Sequence, residues 1–505
     1  MMNKEKQQTI RKPVAIIDIG SNSIRLVIYE NLTRALTPLY NEKSICSLGK
    51  GVALDGNLAE QNIEKALKVM ARFSLVMKLM NVEQAYCFAT SAVREAKNGK
   101  KFAQQISTII GVNVEVLTGE QEAHFAALGT YAGMPDFNGV IGDLGGGSLE
   151  LSSLGLVNEE KQETYQLGVL QLIGVSENSL KEAVKITSKQ LKNSDILEQK
   201  SQNFCAIGGT WRQIAKLHQI QTNYPLHMVQ NYQVDAKEMQ EFCDKVITQF
   251  DATNTYDGIE FVSSTRTMLL PFGAVVLKKI LRLGNFENVV FSALGVREGY
   301  LFNRLEKAEQ QKDPLLEICE NISLLRSRSH PHSFELVEFS RQFINESKLP
   351  EDLQQQRLRE AACFLADIAW RGHPDYKGEQ AVDLIAFGAL IGVNHAGRAF
   401  LARALAVRYM GLKRHSVSSE ILDLAGESNA KRAKILGALL RVAFVISASM
   451  AGVLPKVAFN INNQCLELVL PQDLSFLDGN RLKSRLSQLA KTVGLQSCEI
   501  IILKN

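Results

Sequence analysis

The sequence lacks most of the short motifs that mark common enzyme chemistries. It has no G-x-x-x-x-G-K-[ST] phrase, which argues against a P-loop enzyme, and neither G-x-S-x-G nor H-E-x-x-H occurs. The eight cysteines stand singly with no C-x-x-C pair, so buried free thiols are expected instead of disulfides or zinc ligands. Only His330 and His332 are neighbouring histidines, and without an adjacent acid or cysteine they predict a loop, not a metal site.

Long hydrophobic runs and a strong net charge are also missing. The longest apolar stretch, 435–455, contains Arg441, so it predicts a buried helix and no membrane span. A net charge of +4 and a hydrophobic content of 46% are ordinary for a globular protein and do not by themselves imply nucleic acid. Residues 1–11 are polar and predict a disordered tail without a signal peptide, which together with the free thiols favours the cytoplasm.

One short phrase occurs twice. The pattern D-x-G-x-x-S-x-x-L stands at Asp18–Leu26 and again at Asp143–Leu151, each time after an apolar run that predicts a buried strand. Small residues let backbone N–H groups surround an anion, and the carboxylate can hold a metal that balances its charge. The duplication predicts two similar half-domains that face each other across a phosphate site.

Three turns rich in small residues are the predicted phosphate-binding loops. They are Gly20-Ser21-Asn22-Ser23, Gly145-Gly146-Gly147-Ser148 and Gly208-Gly209-Thr210. The third precedes a predicted helix, where free N–H groups and the helix dipole attract phosphate. Arg94, at the start of a predicted helix, adds a guanidinium that can clamp phosphate, with Arg266 and Arg297 as weaker candidates. The alternatives are ordinary tight turns and, for Arg94, an ion pair with Glu95.

Five carboxylates are candidates for chemistry. Asp18, Asp143 and Glu150 are predicted metal ligands, because Mg²⁺ takes one or two carboxylates together with water and phosphate oxygens; the alternative is an acid that caps a turn. The segment 118–122 predicts a capping box that places Glu120 and Glu122 in the first turn of a helix. The dipole there favours an ionised carboxylate that can act as a base, and the alternative is plain dipole compensation.

The order of predicted elements indicates an α/β protein with a helical end. Strands and helices alternate up to about residue 308, and a polar linker is predicted at 309–314. The remainder is predicted to be mainly helical, with a small β addition at 457–459, 466–470 and 497–503.

Together these phrases resemble the exopolyphosphatase and guanosine pentaphosphate phosphohydrolase family, to which Ser292–Gly299 adds an S-x-x-G-x-R-E-G phrase. The resemblance implies duplicated ribonuclease H-like domains of the actin, sugar kinase and chaperone ATPase superfamily. The implied domains are 12–132, completed by helix 296–309, then 133–295, and a helical HD-like domain at 315–505.

The resemblance also implies metal-dependent hydrolysis of a terminal phosphoanhydride, with Mg²⁺ or another divalent cation as the metal. The family's catalytic glutamate corresponds to Glu122, the metal-linked acids to Asp143 and Glu150, and the phosphate-binding positions to the three turns and Arg94. The leading hypothesis is an exopolyphosphatase that releases orthophosphate from inorganic polyphosphate. Conversion of pppGpp to ppGpp, a kinase or ATPase on the same scaffold, and a catalytically silent regulator remain as alternatives.

The C-terminal region departs from a metal-binding HD domain. The expected H-D pair reads Ala366-Asp367, so a second metal site is not expected, and His373 and His395 are assigned to packing. Residues 391–450 contain nine Lys or Arg against three acids. This region is predicted to guide a polyanion or to form a homodimer, and the alternative is a solvated helical surface. The candidate guiding residues are Arg398, Arg403, Lys431, Arg432 and Lys434.

Overall fold

The computed structural model describes residues 12–155, 161–199, 201–413, 416 and 418–503. The predicted tail at 1–11 and the basic residue Arg414 lie outside the described residues. The chain forms two compact units, one that ends at Gln311 and one that begins at Lys312.

The first unit begins with a five-stranded sheet in the order β3-β2-β1-β4-β5. Its strands are β1 (Val14–Ile19), β2 (Ser23–Tyr29), β3 (Pro38–Ile45), β4 (Gln84–Ala89) and β5 (Val114–Val116). The helices of this part are α1 (Gly49–Asp55), α2 (Glu60–Leu79), α3 (Ser91–Glu95), α4 (Gly99–Ile110) and α5 (Gly119–Gly133). The first three strands are antiparallel neighbours, and β4 and β5 add in parallel beside β1.

The same unit contains a six-stranded sheet in the order β10-β11-β9-β6-β7-β8. Its strands are β6 (Gly139–Leu144), β7 (Leu149–Leu154), β8 (Gln162–Tyr165), β9 (Asn203–Ile207), β10 (Tyr232–Asp235) and β11 (Asn288–Phe291). The helices are α6 (Val169–Val175), α7 (Leu180–Leu191), α8 (Gly209–Gln221), α9 (Ala236–Thr253), α10 (Leu270–Gly284), α11 (Val296–Phe302) and α12 (Lys307–Gln310), with a short 3-10 turn at Ile259–Phe261.

The two sheets share one plan. Five strands of the second, β8-β7-β6-β9-β11, repeat the order and directions of β3-β2-β1-β4-β5. Antiparallel β10 is added at the far edge. The register also corresponds, because Asp18 pairs with Arg25 and Asp143 pairs with Glu150. The predicted duplicated ribonuclease H-like fold is therefore confirmed, and the boundary at 132/133 stays a prediction.

Alternation of side chains along β1 explains how this sheet is covered. Ala15 and Ile17 pack on a core that includes residues of α2 and α4, whereas Val14 and Ile16 pack on the other face with residues of α5 and α11. Asp18 shares the second face by the two-residue repeat, which turns it toward α11. Helix α5 also contacts residues of the second sheet through Ala126.

Glycines bring α5 and α11 close together. A Cβ at Gly129 would lie 2.1 Å from the carbonyl oxygen of Gly295, and one at Gly299 would lie 1.8 Å from that of Phe125. Neither position has room for a side chain, so the backbones of the two helices touch. This contact fixes where both helices begin, and both beginnings reach the candidate site.

The second unit is mainly helical, as predicted. Its helices are α13 (Pro314–Arg326), α14 (His330–Glu346), α15 (Leu353–Leu365), α16 (Lys377–Ala386), α17 (His395–Met410), α18 (Ser419–Asp423), α19 (Gly426–Ser447) and α20 (Asn480–Val493). A small sheet contains β12 (Ala458–Asn462), β13 (Cys465–Pro471) and β14 (Ser497–Leu503) in that order, with 3-10 turns at Leu454–Lys456 and Gln472–Leu477. Phe459 of β12 packs on Phe339 and Phe343 of α14.

Several local predictions are settled by these elements. All eight cysteines are free thiols, and six are buried. The loop predicted at His330–His332 is wrong, because these residues begin α14, where Pro331 is tolerated in the first turn. The predicted linker is reduced to 311–313 between α12 and α13. Among the helices that the structure describes, none combines the length and apolarity needed to span a membrane.

Candidate active site

The first two predicted loops lie against each other in the first unit. A Cβ on Gly146 would lie 3.1 Å from Cβ of Ser21, and a Cβ on Gly147 would lie 2.6 Å from Oγ of Ser91. The hydroxyl groups of Ser21 and Ser91 are 3.0 Å apart and hydrogen-bonded. Folding therefore brings the two copies of the repeated phrase to one pocket, whose lining includes residues of both turns.

Backbone hydrogen bonds hold the carbonyl groups of these turns from behind. In the first turn, Ser21 O accepts from Gly49 N at 2.8 Å and Asn22 O accepts from Ser47 N at 2.9 Å. In the second, Gly146 O accepts from Leu170 N at 2.9 Å.

Gly20 N and Gly145 N each donate within their own turn, to Ser23 O and Ser148 O at 3.0 Å, but four other amide groups of these turns are different. Within the described ranges, the N–H groups of Ser21, Asn22, Gly146 and Gly147 have no hydrogen-bond acceptor. Buried or half-buried amides of this kind bind anions well, because an anion supplies the missing acceptors.

Glu122 is buried at the start of α5 and is held by Arg94. The predicted capping box is present, with Thr118 as N-cap and Gln121 at the third helical position. A guanidinium nitrogen of Arg94 donates to Oε1 of Glu122 at 2.7 Å and also to the carbonyl oxygen of Leu117 at 2.7 Å. Burial raises the pKa of Glu122 to about 7, although Arg94 acts in the opposite direction. A carboxyl group with this pKa can exchange a proton at neutral pH.

Asp143 and Glu150 lie beside Glu122. Burial raises the pKa of Asp143 to about 6 and that of Glu150 well above its ordinary value, and the Glu122 charge adds to the effect on Glu150. Oε1 of Glu150 is buried without a hydrogen-bond partner among the described residues. Asp143 makes no ion pair in the described part of the chain. Glu122, Asp143 and Glu150 thus form a buried cluster of acids, in which Glu122 is paired with Arg94 and Asp143 feels the charges of Arg212 and Arg297 without a direct ion pair in the described residues.

Asp18, the third predicted metal ligand, has a different environment. Its Oδ2 accepts a hydrogen bond from Nη1 of Arg297 on α11 at 2.8 Å. Oε1 of Glu298 is 3.7 Å from Nε of Arg297, and the same carboxylate accepts from Tyr29 and from the backbone N–H of Gly295. Asp18 is therefore already paired with a cation of the chain.

The third predicted loop is covered by a side chain. The guanidinium of Arg266 lies where a Cβ of Gly209 would stand, 2.3 Å from its Nη2, and Arg266 donates to Oγ1 of Thr210 at 3.1 Å. Gly208, Gly209 and Thr210 all line the pocket, as do Arg266 and Arg297. Arg94, by contrast, contacts Glu122 and is absent from that lining.

Sequence reasoning missed three basic residues of this pocket: Arg25, Lys43 and Arg212. Arg25 and Lys43 are cross-strand partners on β2 and β3, and Arg212 donates to the carbonyl oxygen of Ala293 at 2.8 Å. Burial is the main cause that lowers the pKa of Lys43 to about 8 and that of Arg212 to about 10, and repulsion from neighbouring arginines is the second. The equivalence of Arg25 to Glu150 in the repeat was the available signal for the first of them.

The basic residues proposed as a polyanion path differ in accessibility. Arg398 is only 1% exposed, and its guanidinium donates to the carbonyl oxygens of Ile385, Gly388 and Leu390, so its assignment to the path is wrong. Its guanidinium instead donates hydrogen bonds to backbone carbonyl groups at and just after the end of α16.

The remaining basic candidates divide into two pairs. Arg403 forms an ion pair with Asp423, and Arg432 forms one with Glu351. Both arginine side chains are partly buried. Lys431 and Lys434 are exposed on α19.

The position of the missing H-D pair is occupied by ion pairs. Asp367 is buried and accepts two hydrogen bonds from the guanidinium of Arg328, at 2.9 and 2.6 Å. His373 is exposed beside Asp375, and His395 begins α17. Across the described residues of both units, no group of three His, Cys, Asp or Glu side chains has the arrangement of a ready-made metal site.

Two half-domains of one plan, with opposed turns and buried acids between them, define the class of fold, a duplicated ribonuclease H-like fold. The model of the Ppx/GppA phosphatase family matches residues 27–308, and the model named Exopolyphosphatase, C-terminal, matches residues 315–500. The chain belongs to the Ppx/GppA phosphatase family.

Curated relatives are distant. A bifunctional 3-dehydroquinate synthase/phosphatase of Fusobacterium nucleatum is 24% identical over 56% of this chain and 44% of its own length. Exopolyphosphatase 1 of Mycobacterium tuberculosis is 27% identical over 28% of this chain and 42% of its own. The chain thus spans less than half of these two relatives. Retrograde regulation protein 2 of Saccharomyces cerevisiae is 24% identical over 81% of this chain and 74% of its own.

Solved structures support the fold. The Aquifex aeolicus member of the Ppx/GppA family matches with a TM-score of 0.50 at 24% identity, over 58% of this chain and 97% of its own. An exopolyphosphatase of Cytophaga hutchinsonii matches with a TM-score of 0.50 at 20% identity, also over 58% and 97%.

Proposed function

We propose that this protein is an exopolyphosphatase that hydrolyses the terminal phosphoanhydride bond of inorganic polyphosphate and releases orthophosphate. The observation that carries the proposal is the position of Glu122. It is a buried carboxyl group with a pKa of about 7, in a pocket shared by two opposed turns with acceptor-free amides. The name of the mycobacterial relative supports the choice of substrate.

A divalent cation, Mg²⁺ in the first instance, fits the acid side of this pocket. Asp143 and Glu150 would hold it, because both are buried, both have raised pKa values and Oε1 of Glu150 has no hydrogen-bond partner in the described part of the chain. Hard cations prefer such oxygen ligands and usually keep several waters, so two carboxylates suffice. When bound, the cation neutralises charge on phosphate oxygens.

The side chains of the pocket divide the remaining work. Glu122 accepts a proton from the attacking water, and Arg94 holds this carboxylate in place through its 2.7 Å hydrogen bond. The amides of the two turns donate to the oxygens of the terminal phosphoryl group, where charge increases in the transition state. The departing end of the substrate lies toward the basic residues Arg25, Lys43 and Arg212, which stabilise a multiply charged leaving group.

The experiment compares substrates and one variant. Purified protein is given Mg²⁺ with long-chain polyphosphate, pppGpp or ATP, and released orthophosphate is measured. We expect release from polyphosphate, with Glu122→Gln at least about 100-fold slower but still able to bind the polymer. Glu120→Gln is the matched control, since Glu120 is exposed two residues earlier on the same helix.

Other outcomes of this experiment decide between the alternatives. Preferential release from pppGpp would assign the nucleotide reaction, and ATP consumption that requires an added acceptor would assign a kinase. Binding of polyphosphate without turnover would assign a regulator, the role that the name of the yeast relative indicates for that protein. Formation of a homodimer, the HD-like character of the second unit and guidance of the polymer by Lys431 and Lys434 stay predictions.

A further inference from the structure

The two aspartates of the repeated phrase are equivalent in sequence but not in their surroundings. Each is the second-last residue of the first strand of its sheet in chain order, and each is paired in register with the residue seven positions later. Opposite Asp143 that residue is Glu150, whereas opposite Asp18 it is Arg25. The two proposed cation ligands, Asp143 and Glu150, therefore both come from the second copy.

An ion pair with Arg297 is a second difference between the surroundings of the two aspartates. Nη1 of Arg297 lies 2.8 Å from Oδ2 of Asp18, within the range of a charge-assisted hydrogen bond. The side chains of Arg297 and Asp18 are 14% and 22% exposed, so water screens the pair poorly. Arg297 comes from the first turn of α11, which packs on α5 through glycine contacts and has little freedom to withdraw.

We propose that Arg297 takes the place of a metal ion at Asp18, so that the divalent cation of the proposed function is confined to Asp143 and Glu150. The inference rests on that proposed function and adds to it: the site holds one divalent cation, and Asp18 is not its ligand. Arg297 is thus a positioning residue, which acts through Asp18.

The charges around Asp18 support this assignment. Arg25 and Arg297 both lie near Asp18, from β2 and α11 respectively, and Arg212 of α8 is close to both arginines. Burial acts to lower the pKa of Arg297, but Glu298 and Asp18 outweigh it and raise the pKa, so the guanidinium stays charged. A second divalent cation at Asp18 would have to displace this guanidinium or stand beside it against strong repulsion.

The test counts Mn²⁺ ions bound to the full chain, by electron paramagnetic resonance of free Mn²⁺ without substrate. We expect one ion in the wild type and one in Asp18→Asn with a similar Kd. In Asp143→Asn the Kd should weaken by no less than the roughly 10–100-fold that loss of an outer-shell partner costs. In Arg297→Gln/Arg25→Gln, which leaves Asp18 without a guanidinium, a second ion should bind, and Arg297→Lys should keep one.

The outcomes separate this inference from the proposed function. Loss of Mn²⁺ in Asp18→Asn, or two ions in the wild type, overturns the inference while the proposed metal dependence stands. Absence of saturable Mn²⁺ binding in the wild type overturns both. If the double variant fails to fold, as judged by circular dichroism, the comparison of Asp18→Asn with Asp143→Asn still decides.

Discussion

Arg94 reaches Glu122 across 28 positions of sequence and donates a hydrogen bond to its Oε1 at 2.7 Å. The pair joins the short helix α3 to the start of α5, because the same guanidinium also binds the carbonyl oxygen of Leu117. Arg94 therefore controls the proton affinity of the carboxyl group that we propose as the base, in addition to its position.

Replacing Arg94 by Gln should move the acid limb of the pH–rate profile to higher pH. Burial raises the pKa of Glu122 and Arg94 lowers it, so loss of the guanidinium removes the main influence that opposes burial. The base must be ionised to accept a proton. In the variant its pKa should be about 1–3 units higher than in the wild type, so activity should appear only at correspondingly higher pH. The profile of kcat/KM against pH measures this shift. Arg94→Lys, which keeps the charge, should shift the limb less, and an unchanged limb in Arg94→Gln would refute the assignment.

Gly168→Ala should impair substrate binding. Gly168 is the N-cap of α6, and a Cβ there would lie 2.3 Å from Ser148 N and from the carbonyl carbon of Gly147, so the second turn must move. We expect a raised KM for polyphosphate with little change in helix content. Gly174→Ala on the same helix is the matched control, because nothing lies within 4 Å of its added Cβ. Equal KM values for the two variants would contradict the role of this turn.

Asp143→Asn should stabilise the metal-free protein at pH 8 but not at pH 4. The pKa of Asp143 is raised from 3.8 to about 6, so the folded protein favours the protonated carboxyl group. The stability that Asp143 contributes is therefore complete below pH 3.8 and is lost as the pH rises through about 6. At pH 8 the variant should gain at most about 3 kcal/mol in free energy of unfolding, because each unit of pKa difference corresponds to about 1.36 kcal/mol. Thermal melting in EDTA at both pH values measures the effect. Added Mg²⁺ should raise the wild-type melting temperature and reverse the ranking; a variant that melts below the wild type in EDTA at pH 8 would contradict the prediction.

Lys431→Glu/Lys434→Glu should slow hydrolysis of long polyphosphate more than that of triphosphate. Both lysines are exposed on α19, and reversing two charges weakens attraction for a long polyanion, by about tenfold at low salt. Rates on chains of defined length, at low and high ionic strength, measure the effect. Lys491→Glu, an exposed lysine of α20 in the same unit, is the control. Equal slowing on triphosphate would show that the lysines do not act through chain length.

The repeated phrase made the fold and the two turns predictable. Strand, acid, small residues and a second strand are all local in sequence, so Asp143, Glu150 and both turns could be placed before any tertiary contact was known. The capping box likewise placed Glu122 in the first turn of α5. Edge strand β3 was missed, because the polar run Asn41–Ser44 interrupts its few apolar residues and leaves no continuous apolar signal.

Long-range partners were beyond the sequence. Arg297 is 279 positions from Asp18. The resemblance implied that helix 296–309 completes the first domain, but no local pattern indicates that Arg297 pairs with that acid. Arg94 was expected on phosphate, but the distance that decides its partner depends on how α3 and α5 pack. Arg398 was grouped with surface cations because burial of a guanidinium on carbonyl oxygens has no signature in composition.

The crossing of α5 and α11 ties two functional groups to a single joint. Glu122 stands at the start of one helix and Arg297 at the start of the other, and their backbones touch at Gly129 and Gly299. A methyl group at either glycine would force the two helices apart. The proposed base Glu122 and the guanidinium of Arg297 would then be displaced together. If Glu122 and Arg297 have the roles we propose, a substitution at either glycine would therefore change both the rate of hydrolysis and the binding of the cation.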